Sequence, residues 1–237
     1  MPNTPEGFAG RIDRLKTDVV SQARRVLGAV ETAFDAVFSS DPRKAELVVQ
    51  GDDDIDNVDV AIEKSAVQLL ADATRENAAL DTRELRVVLM LAKINNELER
   101  IADAAVDVCE LIRPVAEAGA NARSYPDTFR VMANSVIGIV RDTGSAVQRG
   151  DPRIAKVVLQ SQHAVTAFKA AILRDAETQI ASGKMPVDFA FRLHEIASQC
   201  ELIADHCTNI SEQVIYAETG AIVRHMESRW VEIPHPQ

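Results

Sequence analysis

An internal duplication constrains this chain more than any other feature. Asp41-Pro-Arg-Lys-Ala-Glu-Leu-Val-Val-Gln50 recurs as Asp151-Pro-Arg-Ile-Ala-Lys-Val-Val-Leu-Gln160, an offset of 110 residues at which Asp, Pro, Arg, Ala, Val and Gln coincide. Ala61-Ile62 returns at the same offset as Ala171-Ile172. Further along, Glu99-Arg-Ile-Ala-Asp103 is echoed by Glu201-Leu-Ile-Ala-Asp205. Motifs that repeat in the same order mark tandem copies of one structural unit. The 237 residues provide for two units of about 110 residues each.

Each unit reads as helical. Ile94, Leu98, Ile101, Ala105, Val108 and Ile112 recur at alternating steps of four and three, which lays an apolar stripe along one helix face. With 46% hydrophobic but only 4% aromatic residues, the core must be built from Ala, Val, Ile and Leu. Helix 1 is predicted over 6–38, with Ile12, Leu15, Val19, Ala23, Val26, Leu27, Val30, Ala33 and Phe34 facing inward. Helix 2 follows Pro42 to about Thr74, and Arg75–Asn77 forms a turn. Helix 3 then runs to about Val115, with Asp81 or Thr82 as N-cap. Ala118–Pro126 mixes Gly, Asn, Ser and Pro and reads as a linker. Helices 4, 5 and 6 are predicted from Asp127, Pro152 and Val187, with Met132, Val136, Ile139, Val140 and Thr143 lining helix 4. The tail from Trp230 is expected to be loose or docked as a strap. The expected fold is therefore all-α, with one three-helix bundle over 1–118 and a second, carrying the tail, over 119–237.

The bulk chemistry excludes several roles. A net charge of −10 opposes binding to nucleic-acid phosphates or anionic lipid. No apolar run approaches the length of a membrane span, and Met1–Gly7 lacks the features of a secretory leader. Cys109, Cys200 and Cys207 show no zinc-type spacing and read as reduced thiols. A cytoplasmic location is expected.

Chemistry concentrates on acids. Helix 2 carries Asp52, Asp53, Asp54, Asp56 and Asp59 within eight residues, an unfavourable density for an exposed helix. A short turn makes helices 2 and 3 antiparallel neighbours, so residues equidistant from it share a height. Asp56 with Glu99, and Asp52 with Asp103, are centred on the same point between Asn77 and Ala78. The pairs Asp52/Asp56 and Glu99/Asp103 should therefore face each other, an arrangement that repels itself unless cations intervene. All-oxygen ligands favour magnesium, calcium, manganese or iron over zinc. Asp59 and Asp107 are possible outer ligands. In the second copy Glu201 and Asp205 fall level with Thr166 and Gln162, a poorer set that His163, His206, Asn209 or Glu212 would have to supplement.

These motifs resemble the PhoU family of phosphate-transport accessory proteins from about residue 10 to 228. The resemblance is carried by Glu99–Asp103, Glu201–Asp205, Asp52–Asp56, Glu84-Leu-Arg86, Lys93-Ile94, Asn209, Val214-Ile-Tyr216, Gly220 and Arg224-His225. Ala102 and Ala204 stand where the family has Gly, and Leu202 where it has Arg. The resemblance implies two tandem three-helix bundles and carboxylate-held metal clusters, commonly iron. Asp52, Asp56, Glu99 and Asp103 would serve the first bundle, with Glu201 and Asp205 as half of a second set. It also implies a regulatory adaptor acting with the ATPase subunit of a phosphate ABC transporter and with a sensor histidine kinase. A homodimer is expected. Two other readings compete: a carboxylate-bridged di-iron enzyme and a metal-free helical scaffold. The enzyme would require Glu-x-x-His pairs, but Ala102 and Ala204 occupy the third position after Glu99 and Glu201.

Overall fold

The computed structural model describes residues 5–117, 125–226 and 229–233. Among them, six helices are followed by a short ribbon: α1 (Pro5–Ser39), α2 (Pro42–Arg75), α3 (Thr82–Glu117), α4 (Asp127–Arg149), α5 (Pro152–Ala181), α6 (Val187–Thr219), β1 (Ile222–Met226) and β2 (Arg229–Ile233). The duplication extends to the helix caps. Asp41 accepts a hydrogen bond from the Arg43 amide (3.0 Å) and Asp151 from the Arg153 amide (2.8 Å). Pro42 and Pro152 open their helices, where no intrahelical N–H is needed.

The α2–α3 turn is closed by Asn77 in the left-handed region (φ 50°), a conformation that Asn tolerates. Asp81 then caps α3 as expected. Its Oδ1 accepts from the Glu84 amide (2.8 Å) while Glu84 Oε2 accepts from the Asp81 amide (2.9 Å), a reciprocal capping box. The α6 helix stops at Gly220 (φ 74°). Residues 118–124 of the linker predicted over 118–126, which contain the expected boundary between the halves, lie outside the described residues.

Helices α1–α3 form one bundle and α4–α6 the other, joined along α3–α6 and α1–α4. The expected stripes of α1, α3 and α4 are buried, with Leu27 only half-buried; the Ile112 side chain lies outside the described residues. Both halves contribute to one continuous apolar core. Ala102, Ala104 and Ala204 are buried, and such small side chains let α3 and α6 approach closely. Across that seam Asn209 donates to Glu97 (3.0 Å) and Gln199 donates to Asp107 (3.0 Å). Gln199 and Asn209 occupy the places in the second copy that Glu97 and Asp107 occupy in the first. The two bonds are thus one contact made twice about a pseudo-two-fold axis.

The tail differs from expectation. Ile222–Met226 pairs with Arg229–Ile233 in an antiparallel ribbon, held to α6 by the buried Val223. The chain about Trp230 is therefore strand, and residues 234–237 lie outside the described residues. Packing against a helix is what a two-stranded ribbon requires for stability. The three cysteines are free and fully buried, and burial pushes Cys109 and Cys207 up to about 12.

Candidate metal centre

Antiparallel packing of α2 on α3 places the predicted acids together. Asp52 and Asp56, one turn apart on α2, meet Asp103 of α3, with one carboxylate oxygen from each lying within 4.8 Å of the others. Glu99 stands one turn before Asp103, beside that triad rather than within it. Its carboxylate still interacts with Asp103, Asp59 and Asp56. Two like charges 4 Å apart repel by about 1 kcal/mol in bulk water and about 4 kcal/mol at the effective dielectric of a protein surface.

The carboxyl groups respond accordingly. Burial, then the charges of Asp56, Asp103 and Asp53, push Asp52 up to about 6. Glu99 and Asp103 are also raised, by burial first and then by neighbouring carboxylates, with Arg100 only a small offset. Asp52 Oδ1 is enclosed and has no hydrogen-bond partner among the described residues. An orphaned carboxylate oxygen in a cluster of hard oxygens is the donor set that a divalent or trivalent cation fits.

Supporting residues fix the geometry. Gln22 of α1 is fully buried and donates through Nε2 to the Ile55 carbonyl (2.7 Å), between Asp52 and Asp56. Asn95 of α3 donates to Asp59 Oδ1 (2.6 Å) and to the Asp59 carbonyl (3.0 Å). Of the possible outer ligands, Asp59 is thus tied to Asn95, and Asp107 to Gln199.

The second copy reproduces the register with different chemistry. Thr166 donates to Glu201 (2.8 Å) and Gln162 to Asp205 (2.9 Å), the two pairs expected to be level. Lys169 adds an ion pair with Glu201 at 2.7 Å. Burial opposes ionisation of Glu201, but Lys169 and Thr166 hold it below the usual carboxylate range. Burial raises Asp205, with the Gln162 bond opposing. The duplication offset carried the signal for Lys169: Gln162, Thr166 and Lys169 stand where the first copy has Asp52, Asp56 and Asp59. Three acids have become an amide, a hydroxyl and an ammonium. Three of the four candidate supplements to this site, His206, Asn209 and Glu212, turn elsewhere. His206 and Asn209 meet Glu97 (2.7 and 3.0 Å), and Glu212 pairs with Arg224.

Comparison with known proteins agrees with the duplicated helical fold. The profile described as the PhoU domain matches residues 19–112 and again 129–214. The chain belongs to the PhoU family. Among curated PhoU relatives, the phosphate-specific transport system accessory protein PhoU homolog of Pseudomonas putida is 28% identical over 219 residues, covering 92% of this chain and 83% of the relative. PhoU homolog 1 of Thermotoga maritima is 27% identical, covering 90% and 89%. The crystal structure of PhoU from Pseudomonas aeruginosa superposes with a TM-score of 0.82 at 25% identity, covering 90% of this chain and 99% of that one. The regulatory protein PhoU from Streptococcus pneumoniae shares the fold, with a TM-score of 0.82 at 20% identity over 92% and 99% of the two chains. No helix among the described residues of this PhoU-family chain is long and apolar enough to cross a membrane.

Proposed function

We propose that this protein is a metal-dependent regulator of phosphate uptake, acting in the cytoplasm as an adaptor rather than as a catalyst. The supporting observation is the convergence of Asp52, Asp56 and Asp103 within 4.8 Å, where the second half has Gln162, Thr166 and Asp205 and a single acid in place of three. Asp52, Asp56 and Asp103, with Glu99 alongside, would hold the metal in the first bundle. Iron is the first candidate, with magnesium, manganese and calcium as the other hard-oxygen options. Glu201 and Asp205, already supplied with donors, would make at most a weaker site. A bound cation supplies charge neutralisation, turning a self-repelling acidic surface into a fixed face.

The chain's own residues then present that face. Gln22 and Asn95 anchor α2 behind the acids, and the α3–α6 seam fixes one bundle against the other. The partners proposed for it are the ATPase subunit of the phosphate ABC transporter and the sensor histidine kinase, with phosphate-starvation genes repressed when phosphate is plentiful. The names of the curated relatives, which describe accessory proteins of phosphate-specific transport, support this reading. The di-iron enzyme is disfavoured because no Glu-x-x-His motif accompanies Glu99 or Glu201.

A deletion strain tests this proposal. It should express phosphate-starvation genes in abundant phosphate. Complementation with Asp56→Asn/Glu99→Gln should fail although that protein remains folded. Normal regulation in the deletion strain, with no second copy of the gene present, would reject the phosphate role.

A further inference from the structure

We propose that the second bundle is a metal-independent copy of the first, in which the Lys169 ammonium stands where the first bundle would hold its cation. The acids of α3 are retained on α6 as Glu201 and Asp205, but those of α2 are lost from α5. What replaces them supplies donors. Lys169 Nζ lies 2.7 Å from Glu201 Oε2, Thr166 donates to Oε1 of the same carboxylate (2.8 Å), and Gln162 donates to Asp205 Oδ1 (2.9 Å). The ion pair is largely withdrawn from solvent, with the Lys169 and Glu201 side chains 21% and 26% exposed. Among the described residues, no third carboxylate, imidazole or thiol joins Glu201 and Asp205 within 4.8 Å. The support behind the acids differs as well. Gln22 corresponds to Met132, 110 residues on, and Asn95, four residues before Glu99, corresponds to Ala197, four before Glu201. Both counterparts are fully buried, so the amide props of the first centre have become apolar packing.

This arrangement does not fit a metal ion. A cation entering it would have to displace the hydrogen bonds from Thr166 and Gln162, and it would meet the like charge of Lys169. An ammonium fits instead. It is a compact charge with three donors on a flexible stem, and α5 presents it one turn beyond Thr166, within reach of Glu201 on α6. Because it is tethered to the chain, its effective concentration is fixed whatever the supply of metal. One bundle then answers to metal and the other presents a constant face. That contrast rests on the metal-dependent reading of the first bundle, whereas the assignment of Lys169 does not.

The test uses the full-length chain carrying Asp52→Asn, Asp56→Asn, Glu99→Gln and Asp103→Asn, which removes the first centre. Amides relieve the repulsion there, so the chain stays folded. Thermal unfolding is followed by circular dichroism in chelator and then with excess manganese(II). With Lys169 in place, manganese should leave the midpoint unmoved. Adding Lys169→Met keeps the apolar stem and removes the charge. In chelator it should lower the midpoint by about 2–4 °C, and manganese should restore part of that loss, because Glu201 and Asp205 then lack a cation. Lys169→Arg should keep the midpoint and remain indifferent to manganese. An equal rise with manganese whether or not Lys169 is present, no loss from Lys169→Met, or a loss that manganese leaves untouched would each overturn the proposal. Elemental analysis of the wild type reads the first centre separately: a metal-free wild type would reject the metal-dependent reading of the first bundle and leave the Lys169 comparison standing.

Discussion

Asp52→Asn measures what the acidic centre costs the fold without metal. The rise of this carboxyl from 3.8 to about 6 corresponds to roughly 3 kcal/mol at full value. Asp52 is only half-buried, and solvent screening reduces the figure to about 1–2 kcal/mol. The sign follows from proton linkage. The folded state holds this proton more tightly than the unfolded chain, so the penalty grows as pH rises from about 4 and is complete above about 6. At pH 7.5, in chelator, Asp52→Asn should therefore be more stable than the wild type. For a chain of this length the midpoint of thermal unfolding should rise by about 2–4 °C per kcal/mol. Circular dichroism at pH 7.5 and pH 5 provides the assay, and the advantage should shrink at the lower pH. Saturating metal should reverse the order, because a cation bound only by the folded state stabilises the protein that binds it better. A lower midpoint for metal-free Asp52→Asn at pH 7.5, or a gain independent of pH, would refute this reasoning.

The duplication and the buried amide behind α2 supply two further predictions. Gln162→Asp/Thr166→Asp/Lys169→Asp restores on α5 the acids of α2 and should raise the number of metal ions bound per chain. An unchanged stoichiometry by elemental analysis would show that Glu201 and Asp205 cannot complete a site even with acids opposite. Gln22→Ala removes a fully buried side chain and its bond to Ile55, and should cost about 1–3 kcal/mol in urea unfolding; a cost below about 0.5 kcal/mol, the order of an ordinary surface change, would contradict a supporting role.

Most of the fold was legible because it rests on periodicity and repetition. Apolar stripes fixed the helix faces, and Asp-Pro breaks fixed the starts of α2 and α5. Counting outward from each turn placed Asp56 level with Glu99 and Thr166 level with Glu201. Three kinds of feature escaped. Ile222–Met226 and Arg229–Ile233 are too short for strand alternation to stand out beside a long helix. Gln22 sits among polar neighbours at the edge of an apolar stripe, where a buried amide looks like a surface one until its partner on another helix is known. The Glu97–His206 contact crosses the pseudo-two-fold seam, and no intrahelical spacing encodes it. Lys169 was recoverable: the 110-residue offset that identified the repeat aligns it with Asp59.

Metal content compared between the two halves tests the central claim most directly. Elemental analysis of purified full-length protein should show that Asp56→Asn/Glu99→Gln removes most of the bound metal. Glu201→Gln/Asp205→Asn should leave most of it in place, because Lys169, Thr166 and Gln162 already satisfy those carboxylates. Metal content unchanged by Asp56→Asn/Glu99→Gln, or equal losses from both variants, would contradict a centre built on the first bundle.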